Sequence, residues 1–462
     1  MIPQKFTSRS ILVIFLAAVS AFVFFFRLGS GSLTSWDEAI YAGVAREIVQ
    51  SGQWLRPTFL SISWLEKPPL CIWAVATLYH FFGISEFTAR FFSALCGFGT
   101  VLVTYLIGSK LFNRWIGFLS GMFLVTSRHF PRYARLGVMD APLVFFVSLA
   151  FLFFWLARKK NIYFSLFGIA LGLAFLTKGI AAFFVLPVTW IYCWWANELF
   201  IFKKPSYWLG ILMCAMIAIP WNVYQIMAHP DTYSYALYTQ IFLRTTEIYE
   251  GHSGDLSYYF GVVFNKYRPW IVLLVFSLPF FIFKTIRTKN KEMILITSWI
   301  FLVFGSVAFV KTKLHWYILP LYPALSICVA YGFAQVIKEK YVLFVSTMFL
   351  ITIAFHAHQR FFKSDYNPDL KSISAAVKQI VPKGKQVSFY NSDERHASFF
   401  YTERGTTSIH TQEAFVTEAK KPDFYCLIYE DDFKNLNAVA TDLRLIIRAS
   451  AGKLLFLSRE GP

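Results

Sequence analysis

The chain has 462 residues, of which 56% are hydrophobic and only 15% are charged, whereas a soluble globular domain carries about a quarter charged residues. This composition excludes an ordinary soluble enzyme and indicates a multi-pass membrane protein, because several apolar runs approach the ~20 residues that a helix needs to cross a bilayer. The net charge of +18 lies in short clusters between apolar runs, which is the positive-inside pattern, so no nucleic-acid partner is expected.

The apolar runs predict eleven membrane-spanning helices, and the expected bundle has 11–13 helices in all. The predicted spans are residues 10–27, 88–110, 115–130, 140–157, 162–177, 180–199, 206–225, 268–285, 292–310, 314–337 and 341–359. The stretch Leu70–Phe82 is short and follows Pro68-Pro69, so we interpret it as an interfacial or re-entrant helix. With a cytoplasmic N-terminus, five separate clusters of Lys and Arg then fall on the cytoplasmic side.

This topology leaves residues 28–87, 131–139, 226–267 and everything after 360 outside. From residue 361 the sequence turns to mixed charge with short alternating segments. Asn367-Pro368 is typical of a helix start, and this helix is expected to run through Ile380. Strands are predicted at Gln386–Tyr390, Phe424–Tyr429, Leu443–Arg448 and Leu454–Ser458, with helices near 411–420 and 432–441. We therefore expect a mainly α protein, with a transmembrane domain over 1–360 and a small periplasmic α/β domain over 361–462.

The first outer loop carries two acidic clusters. Ser35-Trp36-Asp37-Glu38 begins an amphipathic helix that is expected to reach about Gln50. A capping box formed by Ser35 and Glu38 is the structural alternative to a catalytic role. The second cluster, Glu66-Lys67 before two prolines, is equally compatible with a solvated turn.

The second outer loop is unusually basic for that side of a membrane, and it includes Arg135. Arginines there suggest an anionic ligand such as phosphate, which Arg binds with two hydrogen bonds. Asp140 enters an apolar helix, where a carboxylate costs several kcal/mol unless it is paired or solvated; a helix N-cap is the alternative. Lys178 lies between two apolar helices and can simply extend its amine to the interface.

Later outer segments add Arg244, His252, Lys313, His315 and Tyr317. A single histidine is more often an interfacial hydrogen-bonding residue than a ligand. Paired carboxylates with converging cations suit group transfer from a phosphate leaving group, since a carboxylate deprotonates the nucleophile and cations neutralise the departing phosphate. The predicted acids are Asp37, Glu38, Glu66 and Asp140, and the predicted bases are Lys67, Arg135, Arg244, Lys313 and His315.

Several motifs resemble one known family across the membrane region. They are Asp37-Glu38-Ala39-Ile40-Tyr41, Glu66-Lys67-Pro68-Pro69-Leu70, Phe87-Thr88-Ala89-Arg90, the segment from Ala170 to Gly179, and the segment from Leu314 to Pro320. In this order they resemble the GT-C membrane glycosyltransferases, in particular the protein O-mannosyltransferases and the bacterial transferases that put aminoarabinose on lipid A.

The resemblance implies roles for individual residues. Asp37 would be the catalytic carboxylate, with Glu38 beside it and Asp140 as a second active-site acid. Lys67, Arg244 and Tyr317 would hold the lipid phosphate, and Arg135 and Lys313 are retained as further phosphate-binding candidates. The resemblance also implies a candidate metal site. Glu66 and His252 match positions that bind a divalent metal ion in some members of the family.

The expected activity is inverting transfer of a sugar from a polyprenyl-phosphate donor, because nucleotide sugars are made in the cytosol and this site faces outward. The acceptor is lipid A, a protein or a cell-envelope glycan, and the expected location is a bacterial inner membrane. A transporter or flippase for an anionic lipid-linked sugar is the main alternative, although the charges cluster at one interface rather than at the bilayer midplane. The second alternative is a non-catalytic scaffold that binds the lipid-linked sugar and presents it to another enzyme.

Overall fold

The computed structural model describes residues 4–357, 365–437 and 443–459, and these residues form two compact units. The first comprises Met1–Leu28, Leu65–Ala74 and Arg90–Phe361, and the second comprises Gly29–Trp64, Val75–Ala89 and Phe362–Pro462. The sequence-based boundary at residue 360 stays a prediction. By packing, two segments from the first 90 residues belong with the C-terminal part of the chain.

The helices agree closely with the predicted spans. They are α1 Gln4–Phe25, α2 Asp37–Ser51, α3 Leu70–Phe82, α4 Glu86–Leu111, α5 Arg114–Thr126, α6 His129–Ala134, α7 Asp140–Ala157, α8 Ile162–Lys178, α9 Val185–Trp195, α10 Pro205–Ala228, α11 Pro230–Leu237, α12 Arg244–Thr246, α13 Tyr258–Lys266, α14 Ile271–Thr288, α15 Lys291–Phe309, α16 Tyr322–Val336, α17 Val342–Ala357, α18 Pro368–Ile380, α19 Arg395–Thr402, α20 Gln412–Ala419 and α21 Glu430–Asn437. Short 3₁₀ turns lie at Gly179–Ala182, Leu199–Lys203, His315–Leu321 and Glu339–Tyr341, and a π-helix lies at Tyr238–Leu243.

Within the described residues, seven helical segments are long and apolar enough to cross a membrane. They are Glu86–Leu111, Asp140–Ala157, Ile162–Ala182, Pro205–Ala228, Ile271–Thr288, Lys291–Phe309 and His315–Val336. The prediction of a polytopic helical bundle is therefore confirmed. The predicted span 180–199 is shorter than expected, because α9 has 11 residues and at 1.5 Å per residue reaches only about 16 Å.

Close helix packing in the first unit depends on small residues. Gly168 of α8 and Gly210 of α10 face each other, and a Cβ built on either would collide with the backbone of the opposite helix. Small residues let membrane helices approach closely and gain van der Waals contact. This contact fixes α8, whose last residue is Lys178.

A buried ionic cluster ties three helix ends together on the side predicted to be cytoplasmic. The Glu198 carboxylate, 4% exposed, pairs with Arg158 at 2.7 Å and Lys291 at 2.8 Å and accepts a hydrogen bond from Tyr192 Oη at 2.9 Å. Burial works to raise the pKa of Glu198, but the bonds from Lys291 and Arg158 outweigh it and leave this pKa lowered. Glu198 therefore stays ionised and joins the ends of α7 and α9 to the start of α15.

The second unit contains the predicted α/β fold. Its strands are β1 Thr58–Phe59, β2 Ile62–Ser63, β3 Gln386–Tyr390, β4 Gly405–Ile409, β5 Tyr425–Tyr429, β6 Leu445–Ala451 and β7 Leu454–Arg459. β1 and β2 form a hairpin, and the other five strands form a sheet in the order β4-β3-β5-β7-β6. β3 runs parallel to β4 and β5, while β7 runs antiparallel to both neighbours. β4 and α19 were not predicted from the sequence, and part of the predicted helix at 432–441 lies outside the described residues.

Two helices begin without a capping bond from their N-cap side chain. α18 begins at Pro368 as expected, but the Asn367 amide donates to the Leu33 carbonyl at 2.8 Å instead of capping the helix. α2 begins at Asp37, and its N-cap residue Trp36 makes no capping bond. Ser35 therefore does not form the capping box that was the structural alternative, and the Glu38 carboxylate instead accepts a bond from the Thr34 N–H at 2.7 Å.

Candidate active site

One cavity in the first unit collects most of the predicted phosphate-binding residues. Its volume is about 770 Å³. Its walls come from the segment before α3, the ends of α8 and α15, the start of α7, α10–α12 and the 3₁₀ turn at His315–Leu321. Of the predicted site residues, Glu66, Lys67, Asp140, Arg244 and Tyr317 line it, together with Lys178.

A buried ion pair lies in the wall of the cavity. Lys178 Nζ is 2.6 Å from Asp140 Oδ1, and the two side chains are 15% and 6% exposed. Asp140 is the first residue of α7 and does not cap it. The helix N-cap, which was the alternative to an active-site role for Asp140, is therefore not what the structure contains. Lys178 Nζ also lies 5.3 Å from the centre of the Tyr317 ring. The pair holds two opposite charges where an isolated charge would be costly.

Arg244 reaches the same tyrosine from another element. Its guanidinium donates to Tyr317 Oη at 3.4 Å and pairs with Glu250 at 3.3 Å. It also lies 4.8 Å from the centre of the Tyr249 ring. The Arg244 side chain is 14% exposed, so aromatic rings and a partly exposed carboxylate hold it in place. Tyr317 therefore connects the two cations Lys178 and Arg244.

Lys67 supplies the third cation of the cavity. Its amine donates to the side-chain oxygen of Gln240, which lies in the π-helix. π-Helical turns inside helices are frequently found at functional sites. Of the titratable residues that line the cavity, three are cations and two, Glu66 and Asp140, are carboxylates, so one formal positive charge remains. This balance favours an anionic ligand.

Most of the remaining lining is apolar. It includes Phe175, Phe183, Phe184, Pro187, Leu302, Val303, Val307, Phe309 and Val310. A cavity that is mostly apolar, with a few polar groups placed together, orients an amphipathic ligand. A phosphate attached to a long hydrocarbon chain has this character.

Two residues predicted to bind phosphate lie outside this cavity and donate to backbone carbonyls. Arg135 is 8% exposed and donates to three carbonyls near the end of α1, those of Val23 at 2.8 Å, Phe24 at 3.2 Å and Phe26 at 3.0 Å. It therefore satisfies carbonyls that have no partner within the helix. Neither Arg135 nor Lys313 lines the cavity.

Lys313 is 5% exposed, and its amine donates to the carbonyl of Ala308 at 2.5 Å. Burial lowers the pKa of this amine, and the nearby Lys311 lowers it further. The backbone carbonyls of α15 therefore hold Lys313, and its role as a phosphate ligand stays a prediction.

Asp37 and Glu38 lie in the second unit. Glu38 is 1% exposed and holds the Thr34 N–H, so the structure gives it a structural role. Asp37 is partly exposed, and within the described residues its carboxylate accepts no hydrogen bond. An unencumbered carboxylate at the start of a helix suits a proton acceptor, and the catalytic role of Asp37 stays a prediction.

The predicted metal site is limited to two residues. Glu66 lines the cavity, whereas His252 is exposed and its carbonyl accepts a bond from the Lys313 N–H at 2.9 Å. In the part of the chain that the structure describes, no group of three or more His, Cys, Asp or Glu side chains is placed to hold a metal ion. One carboxylate and one imidazole do not make a three-ligand catalytic site, so no step is derived through a metal, and the ion stays a prediction.

Lys178 and Gln240 were not predicted as site residues from the sequence. For Lys178 the signal was present, since an ionisable residue between apolar helices is by default a functional candidate with a partner to be sought. Asp140 was that partner. Gln240 carried no comparable signal, because the π-helix that presents it has no sequence signature of its own.

The chain is similar to several known proteins. Residues 14–236 match the family described as dolichyl-phosphate-mannose-protein mannosyltransferase. An uncharacterised protein of Aquifex aeolicus is 31% identical over 342 residues, which cover 72% of this chain and 65% of that protein. An undecaprenyl phosphate-alpha-4-amino-4-deoxy-L-arabinose arabinosyl transferase of Proteus mirabilis is 28% identical over 332 residues, which cover 69% of this chain and 59% of that enzyme. The chain thus spans less than two thirds of the length of each of these two relatives.

The fold comparison covers nearly the whole chain. The crystal structure of ArnT from Cupriavidus metallidurans bound to undecaprenyl phosphate superposes with a TM-score of 0.80 at 17% identity, over 98% of both chains. The chain has the GT-C fold. The GT-C fold therefore places Asp140, Lys178 and the Glu66-Lys67 pair in one cavity, although they come from three distant parts of the chain.

Proposed function

We propose that this protein is an inverting glycosyltransferase that moves a sugar from a polyprenyl-phosphate donor to an acceptor on the outer face of the membrane. The observation that carries the proposal is the cavity with a cationic end and a long apolar wall. Three cations for a phosphate and an apolar wall for a prenyl chain fit one ligand. The Proteus relative is named for an undecaprenyl phosphate sugar donor, and the ArnT structure contains undecaprenyl phosphate.

The proposed reaction needs two kinds of group. An acceptor oxygen attacks the anomeric carbon, and the bond from that carbon to the phosphate oxygen breaks. Asp37 takes the acceptor proton as general base. Lys67 and Arg244 offset the negative charge that the leaving phosphate gains, and preorganised charges of this kind are among the largest contributions to catalysis.

The acceptor is a phosphate or hydroxyl group of lipid A, a protein or a cell-envelope glycan. A lipid A phosphate is already ionised and needs no base, whereas a hydroxyl group does. The size of the contribution of Asp37 therefore depends on the acceptor.

The proposed location is a bacterial inner membrane with the C-terminal unit outside. The five basic clusters between apolar helices support this orientation. An enzyme reporter that works only outside the cytosol, fused after Pro462, is expected to be active, and the same reporter fused after Lys204 is expected to be silent. A reporter that is active only in the cytosol after Pro462 would reverse the topology and remove the argument for a flipped donor.

Arg244→Ala is expected to weaken binding of polyprenyl phosphate by roughly 10-fold to 100-fold, since hydrogen bonds to charged groups contribute about 1.5–3 kcal/mol. The loss should shrink at high ionic strength, because the charge is then screened in both proteins. Binding is measured with the purified protein and polyprenyl phosphate. Arg287→Ala, which removes an exposed cation at the end of α14, is the matched control, and unchanged binding in Arg244→Ala removes Arg244 from the site.

The function itself is tested by incubating purified protein with a panel of polyprenyl-phosphate sugars and candidate acceptors. Release of free polyprenyl phosphate together with a glycosylated acceptor is the expected result, and the reactive donor identifies the sugar. The transporter and scaffold alternatives predict binding or transbilayer movement of an intact donor with no bond cleavage. Intact donor with every acceptor, despite tight binding, would favour those alternatives.

A further inference from the structure

Four cations lie beside one another in the first unit, away from the lining of the cavity. They form a basic cluster that consists of Arg128, Arg132, Lys266 and Arg268. The Arg128 N–H donates to the Arg268 carbonyl at 2.9 Å, so the segment after α5 meets the segment before α14. Arg132 follows Arg128 by about one turn of α6, and Lys266 is the last residue of α13. The three arginines are exposed, and Lys266 is half-buried.

The charge of the basic cluster is not balanced by the protein. Within the described residues, no carboxylate forms an ion pair with any of its four side chains. Residues 127–135 and 258–270, which carry the cluster, contain no Asp or Glu. Burial lowers the pKa of the Lys266 amine, and Arg132 and Arg128 lower this pKa further. The cations therefore repel one another, and a bound anion would offset this repulsion.

Buried hydrogen bonds hold the backbone that carries the basic cluster. His129, the first residue of α6, is 2% exposed; its Nδ1 lies 2.8 Å from Tyr322 Oη and its Nε2 lies 3.2 Å from His315 Nδ1. At the start of α14, the indole N–H of Trp270 donates to Thr126 Oγ1 at 2.9 Å. The cations are thus attached to a fixed backbone, and preorganisation of this kind lowers the entropic cost of binding.

An exposed apolar side of α14 begins directly after the basic cluster. Val272, Phe276 and Phe283 lie on this side at helical spacing, and they are 62%, 74% and 61% exposed. α14 is long and apolar enough to cross a membrane, so these side chains suit contact with lipid acyl chains. The cations lie at the end of this helix, at the level where lipid headgroups are found. A ligand with an anionic head and a hydrocarbon tail matches both features.

We propose that the basic cluster binds the phosphate headgroup of an anionic phospholipid of the surrounding bilayer, whose acyl chains lie along the exposed side of α14. Arginine suits this ligand because its planar guanidinium can donate to two phosphate oxygens at once. In the orientation proposed above, the cluster lies on the outer side of the membrane, where Lys and Arg are less frequent, and lipid binding accounts for this departure. The inference does not depend on sugar transfer, since the cluster does not line the cavity.

Two double variants separate this site from general attraction between cations and lipid. The first carries Arg128→Gln and Arg268→Gln, which remove two exposed charges of the basic cluster. The second carries Arg287→Gln and Lys289→Gln, which remove two exposed charges at the opposite end of α14, and it is the matched control. Thermal unfolding in detergent checks that both variants fold. Binding of phosphatidylglycerol and of zwitterionic phosphatidylcholine to the full chain is measured by native mass spectrometry.

We expect the wild-type protein to bind phosphatidylglycerol more tightly than phosphatidylcholine. Each cation near a membrane surface contributes about 5-fold to the binding of anionic lipid, so the first double variant should lose roughly 25-fold, whereas the control should keep the wild-type affinity. Equal affinity of the wild type for both lipids, or an equal loss in the control, would overturn the proposal. Displacement of the lipid by millimolar inorganic phosphate would indicate a free-phosphate site instead, and a dimer that forms only with the intact cluster would indicate a second copy; either result also overturns it.

A second measurement needs only the wild-type protein. Phosphatidylglycerol with a photoreactive diazirine in one acyl chain is incorporated with the protein into nanodiscs of phosphatidylcholine, and the labelled peptides are identified by mass spectrometry. The proposal predicts preferential labelling of the peptide that contains Val272 and Phe276, and less labelling at high ionic strength because salt screens the headgroup contacts. The same pattern of labelling with diazirine-labelled phosphatidylcholine, or no labelling of this peptide, would overturn the proposal.

Discussion

Asp37→Asn is expected to lower the turnover of a hydroxyl acceptor by roughly 10²-fold to 10⁴-fold, the range typical of a general base, with little change in binding of the lipid phosphate. Asn has nearly the shape of Asp but cannot take the proton of the acceptor. Because no hydrogen bond to the Asp37 carboxylate exists among the described residues, the substitution removes little structural support. Release of polyprenyl phosphate is the assay.

The control for this variant is Asp231→Asn. Asp231 also lies in the first turn of a helix, α11, and it is exposed, so it shares the favourable interaction of an acid with a helix N-terminus without a proposed catalytic role. Equal losses in both variants would indicate a helix effect rather than a base. A loss of less than about 10-fold with a phosphate acceptor but a large loss with a hydroxyl acceptor would identify which acceptor class needs the base.

The membrane helices could be predicted from the sequence, because a long apolar run in a bilayer forms a helix that satisfies its own backbone hydrogen bonds. The predicted spans 140–157 and 162–177 match α7 and α8 almost residue for residue, and α3 has the predicted bounds. The C-terminal part was harder. β4, Gly405–Ile409, is an edge strand of five residues rich in Thr and Ser, and a run this short and polar carries no clear alternation.

The types of residue in the candidate site could be predicted from the sequence, but the groups that each residue contacts could not. Charge alone could not separate Arg244, which lines the cavity, from Arg135, which donates to the last carbonyls of α1. The role of Arg135 depends on its contact with the end of α1, which is more than a hundred residues away along the chain. A search for partners of helix ends would have suggested it, since every helix leaves four carbonyls without an internal partner.

The Asp140–Lys178 pair is expected to produce the largest effect on stability. Removing one partner of a buried ion pair leaves an uncompensated charge and destabilises a protein by about 3–5 kcal/mol. We therefore expect Asp140→Leu and Lys178→Met each to lower the unfolding midpoint strongly, whereas the double variant should lie close to wild type because no lone charge remains. Denaturant unfolding in detergent micelles measures all three, and the cycle gives the coupling between the two residues.

The same three variants separate structure from catalysis. If the Asp140–Lys178 pair only holds α7 against α8, the stable double variant regains turnover. If the pair also acts on the phosphate or the acceptor, the double variant folds but stays inactive. The Lys385–Asp423 pair, whose side chains are 49% and 57% exposed, is the control, and its disruption should leave both properties nearly unchanged because exposed pairs contribute little. A cavity with three cations and two carboxylates needs Asp140 to balance Lys178 before the lipid arrives, so we expect the inactive, folded outcome.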